Sequence, residues 1–436
     1  MAGQPGKPGK PMNWARNIEF SAAELATPDS LTQLQEVVAG ADRVRALGSG
    51  HSFNRIADTG GVLVATAGAG SIMSADPERN VVRVSGGVRY GELARYLDSV
   101  GYALHNTASL PHISVAGSVA TATHGSGDAN QNLAAAVRAI DLVTASGELI
   151  TLAQGADDDF AGAVAGLGSL GIVSTLELEI VPSFQVRQWV YEGLPTDAVT
   201  GSFEEIFGSA YSVSVFTDWT GGNNRIWQKV RVDGAGAAGG GGAGGGRGDG
   251  APSWLGARLA DGPRNPVPGM SAGNATEQLG RPGPWHERLP HFRLEFTPSA
   301  GAELQSEYLV AREVAVPAIE ALFALGDQIS PVLQIAEIRT MAADDLWLSM
   351  AYGRDTVGFH FTWVQDDAAV APVLAAIEAA LAPFGARPHW GKVFSTPPDV
   401  VRGLYPRYDD FVDLLRRYDP AGKFRNEFMD RYFPVS

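Results

Sequence analysis

The sequence predicts a mixed α+β fold with more than one domain. The first 182 residues contain short strand–turn–helix units, and after that point the pattern changes to strands with alternating polar and apolar side chains. Of the 436 residues, 45% are hydrophobic and 19% are charged, which is ordinary for a globular protein with a sizeable core. We therefore expect a domain boundary near residue 182.

Short apolar patterns predict the elements of the first part. A capping box that begins at Ser30 opens a helix with its apolar residues on one face. The other predicted elements are strands over residues 43–47, 61–64 and 81–84, a helix over 90–100, and a hairpin formed by 140–144 and 149–152.

The second part contains further strands and helices around a biased segment. Strands are predicted over 212–218, 291–296, 332–339 and 358–364, and helices over 317–329 and 368–381. Residues 232–252 read VDGAGAAGGGGAGGGRGDGAP, a composition that buries too little apolar surface to offset its ordering entropy. We expect residues 234–250 to form a flexible insertion with no catalytic part.

Composition excludes several classes of function. The formal net charge of −15 disfavours binding to nucleic acid or to an anionic membrane. No stretch is predicted to supply the roughly 20 apolar residues of a membrane span. The absence of cysteine excludes disulfides, thiolate metal sites and iron–sulfur clusters. Residues 1–12 lack the apolar run of a signal peptide, and we expect a cytoplasmic protein.

Several common site motifs are missing as well. The dinucleotide fingerprint, the phosphate-binding P-loop and the nucleophile elbow of serine hydrolases do not occur, which disfavours nicotinamide cofactors and serine hydrolysis. No metal site is predicted, because the histidines lack the sequence spacing that is typical of metal ligands. Four of them, His112, His124, His286 and His291, are interpreted as structural or adjacent to a ligand.

A predicted strand ends in a loop of very small residues with a histidine directly behind it. The stretch is RALGSGHSFNR at residues 45–55, in which Gly48, Ser49 and Gly50 precede His51. Glycines at such a turn allow a positive φ or the close approach of another group. His51 is therefore either a hydrogen-bonding partner of the loop or a chemically used side chain.

A second loop consists mostly of Gly, Ala, Ser and Thr. It reads SLPHISVAGSVATATHGSG at residues 109–127. Small residues over such a length let backbone N–H groups reach a ligand closely, and the hydroxyls can donate to phosphate oxygens. The alternative is a tightly packed turn that holds no ligand.

Two predicted strands place unusual polar pairs on one face. Glu337 and Arg339 are two residues apart in QIAEIRT, as are His360 and Thr362 in GFHFTW. Alternation with a period of two sends each pair to the same side of its strand. That side faces either solvent or a pocket, and the mixture of donors and acceptors, with Lys392 following, suits a polyhydroxylated ligand.

These motifs together resemble the FAD flavoproteins of the vanillyl-alcohol-oxidase and p-cresol-methylhydroxylase type, and among them the enzymes that oxidise alditols. The matching stretches are LGSGHSFN (47–54), ASLPHISVAGSVATATHGSG (108–127), EIRT (337–340), HFTW (360–363), RPHWGKVF (387–394) and DPAGKFRNEF (419–428). They occur in family order over nearly the whole chain. The glycine-rich insertion is the one clear departure.

The resemblance implies a bound FAD and the fold that holds it. It implies an FAD-binding domain of two α+β subdomains over residues 12–182, a substrate cap with a mainly antiparallel sheet over 183–387, and a return to the FAD domain over 388–436. His51 corresponds to the histidine that is bonded to the flavin 8α-methyl group. The residues expected to bind FAD are Leu47, Gly48, Ser49, Gly50, His51, Ser52, Phe53, Ser109, Ser114, Gly117, Thr121, Ala122, Thr123, His124, Ile172 and Val173.

The resemblance also implies the reaction and the substrate site. The expected reaction oxidises the terminal primary hydroxyl of an alditol such as xylitol, sorbitol or glycerol to the aldose, with O2 reduced to H2O2. Substrate-binding residues would be Ser109, Glu337, Arg339, Thr362 and Lys392, and catalytic residues His360, Arg339 and Lys392. His360 is the candidate base, because it alone has an unperturbed pKa near neutrality. The competing interpretation is that His360 only orients Arg339.

Two other functions remain compatible with the sequence. One is an aldonolactone oxidase or dehydrogenase of the L-gulonolactone type from the same superfamily. The other is a binding protein for flavin or sugar without enzymatic activity. The expected partners are a small polyol and O2, and a monomer is expected.

Overall fold

The N-terminal part of the molecule is built from two sheets. The structure, a computed structural model, describes residues 10–68, 70–232, 249–296 and 302–435. The strands of this part are β1 (Glu24–Ala26), β2 (Val44–Leu47), β3 (Val62–Ala65), β4 (Met73–Asp76), β5 (Val81–Ser85), β6 (Tyr102–Ala103), β7 (Val137–Val143), β8 (Leu149–Ala153), β9 (Ile172–Glu179) and β10 (Val181–Pro182). Its helices are α1 (Leu31–Gly40), α2 (Tyr90–Ser99), α3 (Val115–Ala120) and α4 (Phe160–Val164).

The two sheets differ in strand direction. A parallel sheet has the order β1-β3-β2, and an antiparallel sheet has the order β4-β5-β9-β7-β8, while β10 pairs with β6. Half of the predicted capping box forms at α1: the Ser30 side chain accepts a hydrogen bond from the Gln33 backbone N–H, but the Gln33 side chain accepts from the Asp29 N–H and not from that of Ser30. The predicted strands, helix and hairpin of this part all form.

A single large sheet organises the second part. Its strands are β11 (Gln185–Glu192), β12 (Ser212–Thr217), β13 (Arg225–Arg231), β14 (Ser253–Trp254), β15 (Ala257–Leu259), β16 (Gly283–Pro284), β17 (Glu303–Ala311), β18 (Leu333–Met341), β19 (Thr356–Val364) and β20 (Arg387–Pro388). The order is β14-β15-β11-β13-β12-β18-β19-β17-β20, with β16 beside β11, and the strand pairs are antiparallel as expected.

Helices cover one face of this sheet and leave the other face for the site. The helices on that face are α5 (Thr196–Gly201), α6 (Phe203–Phe207), α7 (Ala315–Phe323), α8 (Gly326–Ile329) and α9 (Asp367–Leu381). Three more helices follow β20 and do not belong to this face: α10 (Pro398–Leu404), α11 (Tyr408–Tyr418) and α12 (Glu427–Tyr432). Ile338 and Phe359 pack in a core with the helical residues Ile319 and Ile377. Since side chains alternate along a strand, the neighbouring residues of these strands face the opposite side.

The chain then packs back against the N-terminal part. Val401, Phe411 and Phe433 of the C-terminal segment lie in the same buried cluster as Val84 and Leu176 of the antiparallel sheet. This arrangement brings the segment after β20 to the edge between the two large parts of the molecule.

Two predictions of secondary structure are wrong. Residues 291–296 form no strand, because the His291 and Phe292 N–H groups both donate to the Ser109 carbonyl, and only an isolated bridge joins Phe292 to Ala275. The helix predicted over 317–329 is two helices, α7 and α8, because the Leu325 N–H donates to the nearer Leu322 carbonyl and ends the regular ladder. Most of the predicted insertion, residues 234–248, lies outside the described residues.

One helical stretch of the described residues, 367–384, is long and apolar enough to cross a membrane by length and composition, with a mean hydropathy of 1.5. Its Val370, Leu374 and Ile377 side chains are buried in the core of the large sheet. These side chains form the face of the helix that packs against the sheet.

Candidate active site

An open cleft of about 1860 Å³, including solvent space at its mouth, lies between the N-terminal part and the uncovered face of the large sheet. The glycine loop and the small-residue loop line one wall, and polar side chains of β17, β18 and β19 line the other. The cleft therefore brings together the motifs that the sequence analysis singled out.

The glycine loop and the small-residue loop are tied to each other. The Ser49 N–H donates to Ser114 Oγ at 3.3 Å, and the Ser114 N–H donates to Ser49 Oγ at 3.1 Å. A Cβ at Gly48 would lie 2.1 Å from Ser114 Oγ, so only glycine fits there. Gly50 adopts the left-handed conformation, with φ of 69°. Gly48 is thus required by the close approach of the two loops, and Gly50 by its backbone conformation.

His51 is held by stacking and lacks polar partners. Its ring stacks on Trp14 with the centroids 4.8 Å apart, and the Trp14 N–H donates to the Gly50 carbonyl. Both ring nitrogens are shielded from solvent and make no hydrogen bond of good geometry with the described residues. Burial, followed by the nearby His112, lowers the pKa of His51 to about 4. The imidazole is therefore neutral at physiological pH and keeps a free nitrogen lone pair.

This wall of the cleft fits a flavin nucleotide. The close-packed glycines leave backbone and hydroxyl groups exposed to a ligand, and a covalent bond would satisfy a shielded ring nitrogen of His51. The expected FAD-binding residues that line the cleft are Leu47, Gly48, Ser49, Gly50, His51, Ser52, Phe53, Ser109, Ser114, Gly117, Thr121, Thr123, His124 and Val173.

The side chains of two further expected residues lie elsewhere. Ile172 is buried with Val38 and Phe424, because it points to the opposite side of β9 from Val173. Ala122, which has a φ of 50°, is buried in the core of the N-terminal part. The structure does not place either among the residues that line the cleft.

The opposite wall is centred on a carboxylate that the sequence analysis missed. Glu307 of β17 is buried, and its oxygens accept hydrogen bonds from Arg339 and from Lys392 Nζ, the latter at 2.6 Å. His124 Nε2 lies 3.2 Å from the same carboxylate. Although burial acts to raise it, the charges of Arg339 and Lys392 lower the pKa of Glu307 well below its usual range.

His360 lies in the middle of this wall. It sits on β19 directly between Glu307 of β17 and Glu337 of β18. Its Nδ1 is 2.6 Å from Lys392 Nζ, and its Nε2 is 3.2 Å from Thr362 Oγ1. Burial, together with the positive charge of Lys392, lowers the pKa of His360 well below its usual range. The imidazole is therefore neutral in the resting site.

Glu337 forms a second acidic centre on the same face. Its Oε1 is 3.0 Å from His291 Nε2, and its Oε2 is 3.7 Å from Arg339 Nε. Burial acts to raise the pKa of Glu337, but Arg339 and His291 lower it below its usual range. Arg339 thus bridges two ionised carboxylates. Although burial acts to lower it, the negative charges of Glu307 and Glu337 raise the pKa of Arg339 above its usual value.

The structure brings all the expected substrate-site residues to the cleft. Ser109, Glu337, Arg339, Thr362 and Lys392 line it together with His360. The Ser109 carbonyl also anchors the segment that carries His291, which places this histidine beside Glu337. No cluster of potential metal ligands occurs among the described residues.

Two features of this wall that the sequence analysis missed differ in whether the sequence indicates them. Glu303, Gln305 and Glu307 alternate with apolar or neutral residues in ELQSEYLVA, the same pattern that identified Glu337 and Arg339. Glu307 could therefore have been found from the sequence. The contact between His291 and Glu337 depends on the neighbours that the fold supplies, and no local pattern indicates it.

Comparison with known proteins agrees with this arrangement. A family model described as FAD binding domain matches residues 22–153, and one described as D-arabinono-1,4-lactone oxidase matches residues 303–432. An alditol oxidase of a Streptomyces species is 49% identical over 421 residues, covering 96% of this chain and 97% of that protein.

More distant relatives extend the comparison. An L-gulono-1,4-lactone dehydrogenase of Mycobacterium tuberculosis is 29% identical, covering 96% of this chain and 98% of the relative. The crystal structure of a cholesterol oxidase from B. sterolicum aligns over 100% of both chains with a TM-score of 0.75 at 14% sequence identity, a likeness of fold alone. The full-length match at 49% identity decides the assignment: the chain belongs to the alditol oxidase family of vanillyl-alcohol-oxidase-type FAD flavoproteins.

Proposed function

We propose that this protein oxidises the terminal primary hydroxyl of alditols such as xylitol and sorbitol to the aldose, with O2 as the electron acceptor. The observation that carries the proposal is the wall opposite the glycine loop, where buried carboxylates, cations and a neutral imidazole face one cleft. A polyol needs such alternating donors and acceptors along its chain. The relative with 49% identity is named as an alditol oxidase, which supports the same substrate class.

The reaction balances as a two-electron transfer. The alcohol carbon loses a hydride equivalent and its oxygen loses a proton, which converts the primary alcohol to an aldehyde. The chemistry supplied by bound FAD is acceptance of that hydride equivalent and delivery of the electrons to O2 as H2O2. The chain itself must bind the polyol, orient it and take up the hydroxyl proton.

We assign the outer hydroxyls to Glu337, Thr362 and Ser109. The carboxylate of Glu337 accepts hydrogen bonds from substrate hydroxyls, and the hydroxyls of Thr362 and Ser109 both donate and accept. Because these contacts serve the bound substrate and the transition state alike, they lower the substrate concentration required rather than speed the chemical step.

We assign the reacting hydroxyl to Lys392, Arg339 and His360. The two cations stabilise the oxygen as negative charge develops on it. His360 accepts the proton at Nδ1, after the substrate hydroxyl has replaced Lys392 as the donor to that nitrogen. Lys392, still held by Glu307, then turns toward the oxygen. The support for this role is that His360 is neutral and within 2.6 Å of Lys392 Nζ.

His51 is proposed to hold the flavin by a covalent bond from a ring nitrogen to the 8α-methyl carbon. Forming that bond removes one hydrogen from the methyl group and one from the imidazole, with two electrons, which O2 accepts to give H2O2. The shielded and unpartnered nitrogens of His51 support this proposal. The chain has no cysteine, so a second bond through sulfur is excluded.

The direct test is a peroxide-coupled assay of the purified protein with xylitol and sorbitol. A yellow protein that releases H2O2 with either alditol is expected. Absence of peroxide with every alditol offered, from protein that contains flavin, would contradict the proposal. A colourless protein that binds polyols without turnover would instead indicate a binding function.

Lactone oxidation is the second candidate function. The family model over residues 303–432 is described by a lactone oxidase activity, and a relative at 29% identity is a lactone dehydrogenase. L-Gulono-1,4-lactone in the same assay, and with an artificial electron acceptor in place of O2, separates this candidate from alditol oxidation.

The protein is also proposed to act as a cytoplasmic monomer without nucleic-acid or membrane partners. The net charge of −15 supports the absence of polyanionic partners. Light scattering on the purified protein tests the monomer, since a mass of twice 45.9 kDa would contradict it.

A further inference from the structure

A buried chain of polar groups runs from Glu337 away from the cleft. Glu337 Oε1 is 3.0 Å from His291 Nε2, and His291 Nδ1 is 3.4 Å from Lys229 Nζ. Lys229 lies on β13, and its Nζ also donates to the Leu289 carbonyl. His291 lines the cleft, whereas Lys229, only 2% exposed, lies one residue behind it. We propose that Lys229 is a positioning residue that acts through His291 to hold the Glu337 carboxylate toward the substrate. This inference rests on the proposed function.

The hydrogen-bond directions follow from the donor inventory. A lysine amino group has N–H donors in both of its protonation states, and an ammonium has no lone pair with which to accept. In its ammonium form Lys229 can therefore only donate to His291 Nδ1. The imidazole then carries its own hydrogen on Nε2 and donates it to Glu337 Oε1. Each link points the same way, toward the carboxylate.

The charged groups around His291 show how this chain of hydrogen bonds keeps the negative charge of Glu337 available to substrate. Lys229 faces it from β13, Glu337 and Arg339 face it from β18, and Ser214 Oγ of β12 is 3.5 Å away. Burial, together with the charge of Lys229, lowers the pKa of His291 to about 4. A neutral His291 leaves the negative charge of Glu337 available to substrate hydroxyls, whereas an imidazolium would form an ion pair with it.

Stability alone does not account for a lysine at this position. Burial lowers the pKa of Lys229 to about 7, which reflects the free-energy cost of an ammonium away from water. An apolar side chain of similar length would fill the same space without that cost. Packing therefore gives no reason for a lysine at position 229. Its place behind a carboxylate that binds substrate does give one.

The test is a double-mutant cycle with Lys229→Met and His291→Phe in the flavin-containing protein. Each single variant is expected to raise the KM for xylitol about tenfold, the effect of one lost net hydrogen bond, with kcat within about twofold. The double variant should be no worse than His291→Phe, because Lys229 acts through His291. An unchanged KM in the single variants, or fully additive effects, would overturn the inference.

The pH profile supplies a readout that loss of packing would not produce. Removal of the Lys229 amino group raises the pKa of His291, so the imidazolium forms as the pH falls. As the pH is lowered, the KM of Lys229→Met should therefore begin to rise at a higher pH than the wild-type KM. Parallel profiles for the two proteins would contradict the relay.

Lys423→Met is the matched control. Lys423 also donates from Nζ to backbone carbonyls, those of Val38 and Ala145 at 2.8 Å, but it lies outside the residues that line the cleft. Its loss should lower the thermal midpoint and leave KM unchanged. If Lys229→Met does not fold, His291→Phe alone decides, and a normal KM there overturns the inference. Wild-type protein that is inactive on alditols would instead refute the proposed function.

Discussion

Substitution of Glu307 by glutamine tests the charge balance at the centre of the cleft wall. The carboxylate, which has no exposed surface, receives hydrogen bonds from Arg339 and Lys392. In Glu307→Gln the amide group has one acceptor oxygen and an NH2 group that can only donate. One of the two cations must then face a donor, and both lose their nearest negative charge.

The distances set the magnitude of this change. Two unit charges 2.6 Å apart, as for Lys392 and Glu307, attract by about 6 kcal/mol at an effective dielectric constant of 20. Part of this lost attraction is offset in Glu307→Gln, because one fewer charge has to be removed from water. The net cost of removing one partner of a buried ion pair is about 3–5 kcal/mol. We expect Glu307→Gln to lower the free energy of unfolding by that amount at pH 7.

Urea unfolding followed by tryptophan fluorescence measures this loss. Glu378→Gln is the control, because the Glu378 carboxylate receives hydrogen bonds from the neutral Tyr308 hydroxyl and Ser395 groups, and it should lose less than about 1.5 kcal/mol. If Glu307→Gln is as stable as the control variant, the buried carboxylate does not balance the two cations and the reasoning is refuted.

The pH dependence of the same difference is a second check. The folded pKa of Glu307 is lowered well below the unfolded value of about 4.3, so its stabilisation is complete above that pH. It is lost as the pH falls through the folded pKa. The gap in stability between wild type and Glu307→Gln should therefore narrow below about pH 4.3. A gap that stays constant into acid would contradict an ionised Glu307.

Four further variants test the flavin bond, the base and the insertion. Acid precipitation should leave the yellow colour on the wild-type protein and release it from His51→Ala, and flavin that washes free of the wild type would contradict the covalent bond. His360→Ala should slow flavin reduction by roughly 10²-fold and remove the acidic limb of the rate profile, as expected for a lost base. Near-normal reduction in His360→Ala but not in Arg339→Ala would assign the step to the cation. The third test replaces residues 234–248 by a short Gly-Ser link and keeps Asp249, because Asp249 pairs with Arg187 and with Trp189 Nε1. Turnover should change by less than about threefold. A larger loss would mean that the insertion covers the substrate.

Local patterns in the sequence were sufficient for much of the fold. The helix N-cap at Ser30, the alternation around Glu337 and the glycine loop before His51 each describe a structure formed within about ten residues. Such features depend on backbone geometry and on the period of apolar side chains, which a single segment carries by itself. The faces of β18 and β19 were predicted for the same reason.

Contacts between distant segments were beyond that reasoning. The failure at residues 291–296 shows this, because the apolar pattern suggested a strand while the Ser109 carbonyl, far away in sequence, holds the segment in another conformation. Sheet order has the same character. β17 lies beside β19 rather than β18, and only that order places Glu307 and Glu337 on opposite sides of His360.

The sequence by itself determined the residue types of the site, the side of the strand that each one faces and the family to which the loops belong. Only the tertiary structure decided which charges are neighbours. Glu307, His291 and Lys229 have their roles because burial removes water from them and because the fold places them within 3.4 Å of partners from distant segments, where electrostatic interactions are strongest. Alternation along one strand gives direction but not distance, and the protonation states of this cleft depend on distance.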